Sequence, residues 1–123
     1  MKKPKSPLKR LRKAAPSRTA LKQNLSNLEH RITMQLGSFL VLIEEGTPTQ
    51  VSQAKQRAIN DLIKIGPDME KLAQEMGGKI PLFVHEFLDS IDNLLYSPTD
   101  YVDEAKIARC FSTTQKLEKA VGH

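Results

Sequence analysis

The side chains in this 123-residue sequence whose types could do chemistry are few and scattered. Its three histidines, His30, His85 and His123, fall in separate segments. Its one cysteine, Cys110, has no His or carboxylate at a helical spacing that would activate it as a nucleophile. It reads as a small buried thiol. His85 and Asp89 lie one helical turn apart, with Asp92 a further turn on. Two or three ligands on one helix face hold a divalent metal only when another element completes the shell, so these residues read as a polar surface. With Glu86 they make that surface acidic, and an acidic face can dock a cationic arm from the same chain or a neighbour. Gly77-Gly78-Lys79 lacks the Gly-to-Gly-Lys frame, the following Ser/Thr and the preceding strand of a phosphate loop, and reads as a helix stop. The expectation is a protein without catalytic residues, metal or cofactor.

Cations give the stronger signal. Lys2, Lys3, Lys5, Lys9, Arg10, Arg12, Lys13 and Arg18 fall within the first 18 residues, which hold no acid. Those residues carry +8 of a net +5, leaving −3 on the remainder. Such an arm binds polyanions by releasing condensed counterions. With six cations on phosphates, the log–log salt slope on duplex DNA is on the order of −5. The arm has no aromatic residue to stack on bases and no Asn or Gln to read adenine edges. Contact to nucleic-acid backbone with little sequence preference is therefore predicted. The same charges suit an acidic protein surface, an anionic membrane with Leu8 and Leu11 dipping into the headgroups, or a nuclear-import address. A solubilising tail is the bland alternative.

These residues need elements to position them, and the apolar pattern is helical throughout. Residues 80–96 are the densest stretch: Phe83, Leu94, Phe87, Ile80, Ile91, Val84, Leu95 and Leu88 share one broad arc at helical spacing. A face that wide requires more than one neighbour, so the other helices should pack around it. Upstream, Ser17 or Thr19 can cap a helix running to about Glu45 and closed by Gly46, with Leu21, Leu25, Leu28, Ile32, Leu36, Phe39 and Ile43 as its seam. Gly37 within it hints at close packing. Thr47, Pro48 and Gln50 spell a capping box. The helix it opens keeps Val51, Ala54, Ala58, Leu62, Ile65, Met69, Leu72 and Met76 in phase across Gly66-Pro67, where a kink or a break is expected. Ser97-Pro98-Thr99-Asp100 repeats the start signal before a last helix, for which Ser112 to Gln115 suggests a bend.

The predicted architecture is all-α: an up-down four-helix bundle over residues 17–123, its second and last helices kinked or split, with a disordered, Pro-interrupted basic arm over residues 1–16. Five shorter helices in an irregular domain are the alternative. Connections of two to five residues make sequential helices antiparallel. A lone cysteine points to a reducing, cytoplasmic compartment. No apolar run approaches the ~20 residues of a membrane span, and no secretory signal peptide is read at the N-terminus.

Two functional expectations follow. One is a non-enzymatic helical module, an oligomer or platform, whose arm binds nucleic acid. The other is a protein–protein interaction module, such as an export chaperone or an assembly subunit. The second rests on an apolar excess at Met34, Phe39, Leu40, Val41 and Leu42, which a small bundle need not bury alone.

Overall fold

The computed structural model describes residues 17–97 and 103–122. The arm of residues 1–16, expected to be disordered, lies outside them. Four helices make up the described chain: α1 (Arg18–Glu45), α2 (Pro48–Met76), α3 (Ile80–Leu95) and α4 (Glu104–Ala120). They form an all-α four-helix bundle in which α1 packs on α2, α2 on α3 and α3 on α4. There is no strand among the described residues.

Each start has a local chemical cause. The Ser17 hydroxyl accepts from the Ala20 amide at 3.1 Å, and Thr47 and Gln50 exchange both bonds of the capping box. Gly77 and Gly78 turn the chain between α2 and α3 at φ of 72° and 61°. That left-handed pair is open to glycine without a Cβ penalty, and its tightness sets α2 and α3 side by side.

The core is a single cluster fed by all four helices. Its centre is α3, where Val84, Phe87, Ile91 and Leu95 are fully buried. Phe83 and Leu88 sit half-buried at the edges of that arc. The predicted α2 face is buried as expected except for half-buried Leu72, and Ala73 joins it.

Four local expectations need correction. Pro67 lies inside a continuous α2, so the alternative of two abutting helices does not hold. Helix α4 is continuous through residue 112, so no new helix is capped there, and its own cap is Asp103, whose carboxylate accepts from the Ala105 amide at 2.9 Å. Ser97 instead donates its hydroxyl to the Asn93 carbonyl, lengthening the end of α3. The connection before α4 is therefore longer than five residues, and Pro98, Thr99 and Asp100 of the proposed start signal lie outside the described residues.

Gly37 is the fourth. A Cβ built there meets nothing within 4 Å, so the glycine marks open space, not close packing. Gly37→Ala should therefore raise stability by about 0.5–1 kcal/mol through helix propensity alone, read as a shifted denaturation midpoint with an unchanged slope.

A polar layer joins α3 to α4. The Ser90 hydroxyl lies 2.8 Å from both the Phe87 carbonyl and the Thr113 hydroxyl, and Thr113 lies 3.1 Å from the Cys110 carbonyl. Two hydroxyl protons serve these three contacts, so removing one hydroxyl leaves the other a carbonyl to donate to. Thr113→Val should cost no more than about 1 kcal/mol, measurable by the same unfolding experiment.

Candidate functional site

The described residues carry three surfaces worth weighing, and the sequence singled out part of each. The first is the root of the cationic arm. Arg18 stands in the first turn of α1 and donates through Nη1 to the Met76 carbonyl at 3.0 Å, at the C-terminal end of α2. A cation there also meets the negative end of the α2 dipole. Arg18 thus fastens α1 to α2, and the residues left to reach outward are Lys2, Lys3, Lys5, Lys9, Arg10, Arg12 and Lys13, all outside the described residues.

The second surface is a groove of about 340 Å³ along α2 and α3. Leu62, Ile63, Pro67 and Leu88 give it an apolar floor, and Glu70, His85, Asp89 and Asp92 line it with polar groups. Asp89 is held by Arg109 of α4 at 3.0 Å, an ion pair roughly half open to solvent and so worth little energetically. Glu70 and Asp92 have no cationic partner among the described residues. Toward the Gly77-Gly78 turn the groove continues past Gln74, Pro81 and Leu82. Of the acidic trio read from the sequence, Asp89 and Asp92 line it and Glu86 does not.

Helices α1 and α4 form the third. Thr33, Leu36, Gly37 and Leu40 face Ile107, Cys110, Phe111 and Thr114 across a pocket of about 150 Å³. Phe111, which lines it, is 63% exposed, and Met34 and Val41 elsewhere on α1 are 60% and 54% exposed. Of the five apolar residues assigned to an interface, Met34 and Val41 are therefore open. Leu40 and Leu42 are half-buried, and Phe39 lies in the chain's own core at 3% exposure.

Further down the same seam the sequence reading missed Glu29. Glu29 is 3% exposed, and its Oε2 has no hydrogen-bond partner among the described residues. Burial pushes its pKa up to about 7, the Glu118 carboxylate on α4 pushes the same way, and the Thr33 hydroxyl one turn on partly offsets both. The signal available was its spacing: Glu29 falls four residues after Leu25 and three before Ile32.

Cys110 is buried, and burial raises its thiol pKa, the Ser90 side chain and the Arg109 charge offsetting part of the rise; its Sγ donates to the Ser90 carbonyl at 3.3 Å. A protonated, enclosed thiol is the opposite of an activated nucleophile. Alkylating reagents should leave it unmodified until the protein is denatured, which a mass measurement before and after denaturant would check. His30 and His85 are exposed on separate helices, and His123 lies outside the described residues. Among the described residues no three His, Cys, Asp or Glu side chains converge as metal ligands would. No described helix is long and apolar enough to cross a membrane.

Comparison with protein-family models, with curated proteins and with solved structures finds no match for this chain.

Proposed function

We propose that this chain is a non-enzymatic helical interaction module whose basic N-terminal arm binds a polyanion, gripping nucleic-acid backbone without strong sequence preference. The observation that carries the reading is charge segregation. Seven cations and no acid precede Ser17, while everything from Ser17 onward has more acids than bases. Phosphate contacts by such an arm gain affinity from released counterions, and an acidic body disfavours the same polyanion elsewhere on the molecule.

Titrating the full chain and a version beginning at Ser17 against duplex DNA and RNA at several salt concentrations tests it. The full chain should show a log–log slope on the order of −5, and the shortened chain should lose both the affinity and most of the slope. Equal affinity of the two would overturn the reading.

A protein–protein interaction module, as an export chaperone or an assembly subunit whose arm meets an acidic protein or anionic membrane, is the second reading. It is favoured by the exposed apolar side chains Met34 and Val41 on α1 and Phe111 at the α1–α4 pocket. Light scattering of the wild type and of Val41→Asp separates the two. Association that the aspartate abolishes would favour the second.

A further inference from the structure

The α2–α3 groove and the arm are complementary in shape, charge and reach. Between Pro7 and Pro16 the arm reads LKRLRKAA, with Leu8, Leu11 and Ala15 at helical spacing and Lys9, Arg10, Arg12 and Lys13 around them. Alone, eight residues are too few to hold a helix in water. Wound into two turns they are about 12 Å long. The groove runs about 10 Å from Glu70 to Ile63 along α2, with an apolar floor and the unpaired carboxylates of Glu70 and Asp92 along it. Gly66 and Pro67 lie midway, where Gly66 adds no side chain. Pro67 also has no N–H for the Ile63 carbonyl one turn back, which leaves a backbone acceptor open to a Lys or Arg donor.

Reach selects this groove over the α1–α4 pocket. The Arg18–Met76 hydrogen bond places the arm's root at the C-terminal end of α2. Glu70 is about 9 Å from that point along α2, and Ile63 about 20 Å. With residues 8–15 wound as a helix and only the link to Ser17 extended, Leu11 reaches about 13 Å from the root and Leu8 about 17 Å, a span that overlaps the groove. Thr33, the near end of the α1–α4 pocket, lies about 22 Å along α1 from Arg18, beyond both. A tethered segment also acts at an effective concentration of the order of millimolar, which favours the chain's own arm over that of a second copy.

We infer that residues 8–15 of the chain's own arm dock in the α2–α3 groove, with Leu8 and Leu11 on Leu62, Ile63 and Leu88 and the basic side chains on Glu70 and Asp92. The contact is autoinhibitory toward the proposed function, because phosphates and the groove compete for the same cations. It extends that reading, yet its test contains no nucleic acid, so the two can fail separately.

The test is paramagnetic broadening in the full chain. A nitroxide is attached at Ser6→Cys in a Cys110→Ala background, and amide signals are followed by nitrogen-15 NMR. Signals of Ile63, Gly66, Glu70 and Leu88 should lose most of their intensity at low salt. They should recover at about 1 M salt, where charges are screened beyond about 3 Å, and in Glu70→Gln/Asp92→Asn, which alters only exposed side chains. Nitrogen-15 protein without nitroxide, mixed with spin-labelled unenriched protein, should show no broadening. Absence of broadening at the groove overturns the inference, as does broadening that survives the double neutralisation. Broadening in the mixed sample also overturns it, by placing a second copy's arm there.

Discussion

Between pH 4.5 and pH 7 the wild-type protein should lose up to about 3 kcal/mol of stability that Glu29→Gln does not lose. The sign follows from where the proton sits. In the unfolded chain Glu29 titrates at its ordinary value of 4.5, whereas in the bundle burial and the facing Glu118 raise it to about 7. Below 4.5 both states hold the proton and the site costs nothing. Across the window the folded state binds more protons, so unfolding becomes easier as pH rises. Above 7 the penalty is complete. A shift of about two and a half units at 1.36 kcal/mol each sets its size. The glutamine amide brings two donors to a place where Oε2 already lacks a partner, so its absolute stability is offset by an unsatisfied group. The pH slope is the cleaner readout. Urea unfolding of both proteins at half-unit steps would show it, and parallel curves would mean that Glu29 is solvated in solution. Glu118→Gln should move the wild-type midpoint down, since it removes the like charge.

Glu29 also shows where sequence reasoning stops. The α1 stripe was legible because Leu21, Leu25, Ile32, Leu36 and Phe39 repeat at helical spacing, and all five are buried. The stripe alone leaves a small rotation undetermined, which decides whether Leu28 or Glu29 lies at its centre. Apolar preference favours Leu28. In the bundle the helix is turned the other way, leaving Leu28 half-buried and Glu29 inside. On α4 the same ambiguity hid the buried face. Thr113, with Cys110 and Leu117, is buried, while Phe111 points out, because the Ser90 hydroxyl gives Thr113 a partner that a pattern of apolar residues cannot register. Start signals fared better where they were redundant. Thr47-Pro48-Gln50 supplied three agreeing cues and was right, whereas Ser97 had its hydroxyl drawn back to Asn93. The arm's charge is a matter of counting. The groove is not, since it exists only once α2 and α3 are laid side by side with Gly66 and Pro67 between their larger side chains.

Phe87→Ala should cost about 3–5 kcal/mol, a large part of the 5–15 kcal/mol that holds a typical domain folded. Phe87 is fully buried on α3, the helix that packs against both α2 and α4. Truncation of a fully buried ring removes its apolar surface and leaves a cavity that the surrounding core fills only in part. The four phenylalanines make an internal scale for this argument. Phe39, at 3% exposure, should follow Phe87 closely. Half-buried Phe83 should fall between, and Phe111, 63% exposed, should change unfolding by less than about 0.5 kcal/mol. Denaturation midpoints of the four alanine variants give the order directly. Phe39 is the informative member, because an interface residue and a core residue respond differently. A core Phe39 lowers the unfolding free energy at every protein concentration. An interface Phe39 would leave the isolated chain intact and change only how it associates.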